Sequence, residues 1–172
     1  LFRSETILIT ADLSSAAGIE KTAAELERQK YDVLINNAGV TRDRLITQLT
    51  DEEWDEVMNV NLRGAYLCSR AALPALTACT AGHIINIGST ASLFATPGTT
   101  VYATSKFAVR GFSIAAAGDL RPHGVAVSLV GPAAVKTDML DKQRVLRDRK
   151  DVRAGRLAVP ARDARQPMRD IL

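Results

Sequence analysis

A tyrosine and a lysine stand four residues apart in the stretch YATSK, as Tyr102 and Lys106. The segment that follows, FAVRGFSIAAAGDL, favours a helix, so the two side chains would be neighbours one turn apart. A free phenol has a pKa of about 10, too high for a base at neutral pH, and a nearby ammonium favours the phenolate. Such a pair can exchange a proton with a carbonyl or alcohol oxygen. A solvated surface pair has the same spacing, so the rest of the chain must distinguish the two.

The elements that would position this pair alternate along the chain. Four apolar runs predict strands: ILIT (7–10), DVLINNAG (32–39), HIINIGS (83–89) and GVAVSLV (124–130). Helices are predicted over 16–30, from about Asp51 through about residue 78, and from Tyr102 to Leu120. Ser14 and Ser15 form a cap signal for the first helix, and Thr50 with Glu53 forms a capping box. This alternation predicts an α/β fold with a parallel sheet.

Small and polar residues follow every predicted strand. They are Asp12, then Asn37-Ala38-Gly39, then Gly88-Ser89, then Pro132 and Thr137. Ligands of open α/β sheets bind beyond the carboxyl ends of the strands, so these positions predict a binding crevice. The loop containing Pro97-Gly98 can bring Ser89 towards Tyr102, and Asn61 can face the same crevice.

Each candidate also has a purely structural interpretation. Asn61 can be a helix cap, Ser89 can bond a backbone group at the strand end, and Asp12 can cap the first helix. Asn37, Gly39 and Thr137 can be turn residues.

Taken in order, the motifs resemble the signature of the short-chain dehydrogenases/reductases. These motifs are NNAG (36–39), Asn61 in NVNLRG, Ser89 in IINIGS and YATSK (102–106), within a match over roughly residues 5 to 140. The resemblance implies a Rossmann-like doubly wound parallel sheet and an enzyme that transfers hydride between NAD or NADP and a small carbonyl or alcohol substrate. Within the family, NNAGVTRDRL and TDEEWDEVMNVNL are similar to 3-oxoacyl-carrier-protein reductases, whereas residues 102–128 resemble oxidoreductases of unassigned substrate.

The resemblance also implies roles for the candidate residues. Tyr102 would be the acid/base, Ser89 would hold the substrate oxygen, Lys106 would bond the nicotinamide ribose, and Asn61 would hold a proton-relaying water. The expected cofactor contacts are Asp12, Leu13, Asn37, Ala38, Gly39, Tyr102, Lys106, Pro132, Val135 and Thr137.

The sequence departs from the family at its beginning. The Gly-rich loop TGxxxGxG does not occur, and ILIT corresponds to the family's third strand. We therefore expect a fragment in which the first two strands and the last strand are missing, with a partial catalytic domain at 1–140 and a truncated basic segment at 141–172. In the family strand order 3-2-1-4-5-6-7, DVLINN would become an edge unless ILIT pairs with it. We expect the chain alone to be inactive or nearly so, and the region that selects NAD or NADP is absent.

Composition narrows the class of protein. Hydrophobic residues make up 47% and charged residues 24%, typical of a soluble globular domain, and no apolar run reaches membrane-spanning length. We interpret Cys68 and Cys79 as buried thiols on one helix in a reducing compartment, hence the cytoplasm, and neither His83 nor His123 clusters with them into a metal site.

The charge is uneven along the chain. The net charge of residues 141–172 is +5, whereas that of the whole chain is +3, so residues 1–140 carry −2. The basic segment lacks the interleaved aromatic residues of a nucleic-acid surface. No GxxxxGK[ST] motif occurs, which excludes a P-loop nucleotide-binding protein.

Two function classes stay open. The long helices near 61–78 and 102–120 resemble those that pair between subunits in the family, so the full-length parent is expected to be a homo-oligomer. A degenerate homologue that serves as a binding or oligomerisation module is the alternative to an enzyme. The intact set of Asn61, Ser89, Tyr102 and Lys106 favours the enzyme, because a binding module has no need for it.

Overall fold

A computed structural model describes residues 7–133, and the predicted α/β architecture is confirmed there. The helices are α1 (Ala16–Arg28), α2 (Asp51–Met58), a π-helical turn (Asn59–Arg63), α3 (Gly64–Thr77) and α4 (Thr100–Leu120). Short 3₁₀ turns cover Thr90–Ser92 and Arg121–His123. The strands are β1 (Val33–Asn36), β2 (His83–Ile87) and β3 (Ala126–Val130).

The three strands form one parallel sheet in the order β1-β2-β3. Leu34 of β1 is aligned with Ile84 of β2, and Ile84 with Val127 of β3. The three strands thus meet at a common carboxyl edge, where the polar residues were predicted to gather.

The predicted strand at 7–10 is wrong. Residues Ile7–Thr10 have no regular structure, and Leu8 is 90% exposed. The segment lies beside α1, where Lys21 Nζ donates to the carbonyl oxygen of Thr10 at 2.8 Å. β-Branched residues form a strand only where a neighbouring strand supplies ladder hydrogen bonds and packing. β1 is consequently an edge of the described sheet, as expected when residues 7–10 do not pair with it.

Local capping signals begin the first two helices. The Ser15 hydroxyl accepts from Gly18 N at 3.0 Å and is the N-cap of α1. Thr50 and Glu53 form the predicted capping box of α2. The helix predicted to continue from there is interrupted by the π-helical turn before α3 begins.

The hydrophobic core lies on one face of the sheet. Its buried members are Leu34, Cys68, Ala72, Leu76, Ile84 and Val125, with Leu26 of α1 and Leu120 of α4 packed against them. Helices α1, α3 and α4 thus cover the face that carries Leu34 and Ile84. On the opposite face, Ile35 is 58% exposed and Val33 and Val130 are also exposed. Parallel sheets are ordinarily covered on both faces, so this open face is unusual.

The two cysteines differ in position. Cys68 is buried in α3, where burial raises the pKa of its thiol, whereas Cys79 is only partly buried and lies beyond the end of that helix. The prediction of two buried thiols on one helix is therefore right only for Cys68. Between residues 7 and 133, no helix has the length and apolar character needed to cross a membrane, and no three His, Cys, Asp or Glu side chains are grouped as metal ligands.

Candidate active site

Lys106 is a buried cation beside the ring of Tyr102. Its side chain is in the first half of α4, the residue is 4% exposed, and its Nζ donates to the carbonyl oxygen of Ile87 at 2.9 Å. The same Nζ lies 5.9 Å from the centroid of the Tyr102 ring. Burial lowers the pKa of the Lys106 ammonium. A solvated surface pair is therefore excluded, because a solvated lysine would not be buried and anchored to a strand.

Asn61 connects three parts of the chain. It lies in the π-helical turn and is buried. Its Oδ1 accepts from Val40 N at 2.8 Å, while its Nδ2 donates to the Val40 carbonyl at 3.0 Å and to Ser105 Oγ at 2.9 Å. The interpretation of Asn61 as a helix cap is wrong, since its side chain bonds to a loop and to α4. π-Helical turns often mark functional sites, because the extra residue redirects a side chain.

Gly39 brings the backbone of the turn after β1 against both groups. A Cβ at this position would lie 3.5 Å from Asn61 Oδ1 and 3.6 Å from Lys106 Nζ. The absence of a side chain therefore leaves space beside the ammonium and the amide. Asn37 and Ala38, which precede Gly39, are exposed at the carboxyl end of β1.

Ser89 makes a structural contact, and its hydroxyl hydrogen is not donated to any acceptor among residues 7–133. It follows β2, and its Oγ accepts from Ala91 N at 3.1 Å, capping the 3₁₀ turn against which α4 packs. The structural interpretation of Ser89 is thus realised. A hydroxyl that accepts one hydrogen bond can still donate its own proton, so the same residue can also bond a substrate oxygen. Pro132 lies nearby, because its carbonyl accepts from Thr90 N at 3.1 Å.

The other residues expected to contact the cofactor are only partly brought together. Leu13 lines a cleft of about 180 Å³ together with Asn37, Ala38 and Asn61. Asp12 does not line this cleft. Its exposed carboxylate accepts from the Ser14 backbone and hydroxyl at 2.9 and 2.7 Å, and these bonds lower its pKa. Val135 and Thr137 lie outside the described residues.

Sequence reasoning missed Ser105, which contacts Asn61 although it lies 44 residues further along the chain. It stands inside the YATSK motif, where a hydroxyl in an apolar helical segment was the available signal. The carbonyl of Ile87 was missed as well, because no sequence pattern predicts which strand carbonyl accepts from a lysine.

The lowered pKa of Lys106 predicts a specific pH dependence of stability. Below the folded-state pKa, both states hold the proton and the cost of burying the charge is constant. Above it, the unfolded chain retains the proton that the folded chain has released, so stability rises with pH up to the ordinary lysine pKa. In urea unfolding at several alkaline pH values, the native chain should therefore gain stability relative to Lys106→Met. Lys30→Met, which removes one exposed positive charge, is the control, and a pH-independent difference for Lys106→Met would contradict the prediction.

Known proteins resemble this chain over most of its length. Residues 2–147 match the short chain dehydrogenase family. The 3-oxoacyl-[acyl-carrier-protein] reductase of Vibrio harveyi is 38% identical over 157 residues, covering 89% of this chain and 64% of that protein. The reductase of the same name from Escherichia coli K12 is 38% identical over 154 residues, covering 89% of this chain and 60% of that protein. The chain thus spans less than two thirds of the length of these relatives.

Solved structures show the same fold. A putative NAD(P) dependent gluconate 5-dehydrogenase from Beutenbergia cavernae, with bound NADP, superposes with a TM-score of 0.76 at 32% identity over 86% of this chain and 60% of that one. A metagenomic short-chain oxidoreductase in complex with NADP superposes with a TM-score of 0.65 at 36% identity, covering 79% of this chain and 64% of that one. The family match, these identities and the parallel α/β sheet agree, and the chain belongs to the short-chain dehydrogenase family.

Proposed function

We propose that this chain is the catalytic part of an NAD(P)-dependent oxidoreductase that interconverts a carbonyl and an alcohol, with Tyr102 as the acid/base. The observation that carries the proposal is the buried Lys106, held by the Ile87 carbonyl and placed beside the Tyr102 ring. Burying an ammonium is unfavourable unless it is compensated. The charge therefore suggests a chemical task at this point of the fold.

The residues present fit one half of a dinucleotide. Gly39 leaves space beside Lys106, whose ammonium has three donors and uses one on Ile87 among the described residues. Leu13, Asn37 and Ala38 line the adjacent cleft. No Gly-rich loop is present in the 172 residues, so the pyrophosphate lacks the usual helix N-terminus. When bound, NAD(P) supplies or accepts the hydride.

The proton is handled by this chain's own side chains. The Tyr102 hydroxyl gives a proton to the carbonyl oxygen during reduction and takes one from the alcohol during oxidation. The Lys106 ammonium favours the phenolate electrostatically. The Ser89 hydroxyl donates to the same substrate oxygen and holds it near Tyr102. Asn61 orients a water that passes protons to Lys106.

We also propose that residues 1–172 alone turn over little or no substrate. Without the phosphate loop, binding energy that would place the nicotinamide is missing, and orientation contributes much of the rate of such a reaction. We further propose that the full-length protein is a homo-oligomer in the cytoplasm. Val135 and Thr137 are proposed as additional cofactor contacts.

A fusion tests the function. The two strands and the Gly-rich loop of a family member are placed before residue 1, and the melting temperature is measured with increasing NADPH or NADH. A saturable rise in the fusion, accompanied by reduction of a 3-oxoacyl thioester or a simple ketone, is expected. The unfused chain should show little turnover. If the fusion melts cooperatively and neither nucleotide changes its melting temperature, the proposal that the chain is part of an enzyme is contradicted. Robust turnover by the unfused chain contradicts its proposed inactivity.

A non-catalytic binding module is the second candidate, and the open face of the sheet favours it. Val33, Ile35 and Val130 are exposed there, as in a surface that another molecule covers. A module of this kind would bind its partner equally well after Lys106→Met, whereas nucleotide binding by the enzyme would be weakened by that substitution.

A further inference from the structure

Ser105 is fully buried and bonds to two groups of the candidate site. Its hydroxyl accepts from Asn61 Nδ2 at 2.9 Å and donates to the carbonyl oxygen of Tyr102 at 2.8 Å. Ser105 therefore links the π-helical turn to the first half of α4, between the two residues that carry the proposed chemistry.

The same helix contains a second serine with the same pattern of bonds. Ser113 is buried, accepts from Asn86 Nδ2 at 2.9 Å and donates to the carbonyl oxygen of Val109 at 2.7 Å. An asparagine amide bonded to a helical serine is thus a repeated packing arrangement in this fold. Ser113 provides a control that matches Ser105 in burial, in chemistry and in the kind of backbone acceptor.

The two asparagines differ in what else they hold. Asn86 receives a bond from Asn36 of the neighbouring strand at 2.8 Å, inside the sheet. Asn61 instead bonds the backbone of Val40 through both the oxygen and the nitrogen of its side-chain amide, next to the Gly39 turn and Lys106. Loss of the Ser105 bond would therefore act on the turn beside the ammonium. Loss of the Ser113 bond would act on Asn86 inside the sheet, and it would reach Lys106 only through the backbone of Ile87, the next residue of β2.

We propose that Ser105 is a positioning residue, which fixes the Asn61 side chain, and through it the turn at Gly39 and Val40, relative to the helix that carries Tyr102 and Lys106. The catalytic benefit of this positioning rests on the proposed function, but the positioning itself can be tested without nucleotide or substrate. Without the Ser105 hydroxyl, one buried N–H of Asn61 loses its partner, and this hydrogen-bonded link between the turn and α4 is lost.

The test compares Ser105→Ala with Ser113→Ala in the full chain labelled with ¹⁵N-asparagine and ¹³C-lysine. Each substitution removes one buried hydrogen-bonding group, so both should lower the melting temperature by about 2 to 8 °C. Ser105→Ala should shift the Asn61 side-chain amide signals, and it should change the Lys106 Cε signal at constant pH more than Ser113→Ala does. Ser113→Ala should shift the Asn86 side-chain amide signals and change the Lys106 Cε signal distinctly less, because Asn86 contacts Lys106 only through the backbone of Ile87.

Two results would overturn the proposal. One is an unchanged Lys106 signal in Ser105→Ala, and the other is an equal change of that signal in Ser113→Ala. Should Ser105→Ala fail to fold, hydrogen exchange of the native chain decides. The side-chain amides of Asn61 and Asn86 should then both exchange slowly, and fast exchange at Asn61 alone contradicts the proposal. Failure of the nucleotide titration would affect the proposed function and none of these readouts.

Discussion

Replacing Tyr102 with phenylalanine is expected to lower kcat for carbonyl reduction by about 10²- to 10⁴-fold in the fusion that contains the phosphate loop. Phenylalanine keeps the ring that lies 5.9 Å from Lys106 Nζ and removes only the hydroxyl. The fold and the lysine environment should therefore remain, while the proton donor to the substrate oxygen is lost. Initial rates of NADPH or NADH oxidation measure the effect, with the KM for the nucleotide as a separate readout.

Tyr66→Phe is the matched control for this experiment. Tyr66 is exposed on α3, where its hydroxyl accepts from Arg70 and its ring contacts Phe112 edge-on. Its replacement also removes one phenolic hydroxyl and should leave kcat within about twofold, as expected of a surface change away from the site. A Tyr102→Phe variant that retains the kcat of the unsubstituted fusion would show that another group moves the proton.

Replacing Ile84 with alanine is expected to cost about 2 to 5 kcal/mol of unfolding free energy, whereas Ile85→Ala should cost distinctly less. The two residues are neighbours on β2, but Ile84 is 1% exposed within the core cluster and Ile85 points to the open face. The two variants remove the same side chain from adjacent positions of one strand, so they differ mainly in the face of the sheet that is affected. Denaturant unfolding of both variants at one protein concentration measures the difference.

The converse result would be equally informative. An Ile85→Ala variant as destabilised as Ile84→Ala would mean that the open face is covered in solution. If the stability of the native chain then also rose with protein concentration, a second copy would be the cover, because association stabilises by mass action. Equal costs without any concentration dependence would contradict the one-sided core.

Local signals in the sequence were sufficient for most of the elements. The Thr50–Glu53 capping box begins α2 as predicted, because both bonds form within one turn. The apolar runs at 33–36, 83–87 and 126–130 became strands because they pair with one another. The run at 7–10 has the same composition and no paired neighbour, so its local preference was not realised.

The site was predictable where its residues form a motif and not where distant segments meet. Tyr102 and Lys106 are one helical turn apart, so their spacing alone indicated proximity. The bond from Asn61 to Ser105 joins residues 44 positions apart, and no spacing rule reports such a contact. The burial of Lys106 likewise depends on how α4 packs over β3 and over the 3₁₀ turn that follows β2, which composition does not encode.

The π-helical turn at Asn59–Arg63 has a consequence for changes in chain length. A turn of this kind holds one residue more than an α-helical turn, and each helical residue rotates the following side chains by about 100°. Deleting one residue here would let α2 and α3 join as a regular helix while turning either Asn61 or the Cys68–Ala72 face away from its partners. A homologue that has every site residue but a segment shorter by one would therefore lack the site, so the number of residues between Val57 and Gly64 is as much a part of it as their identities.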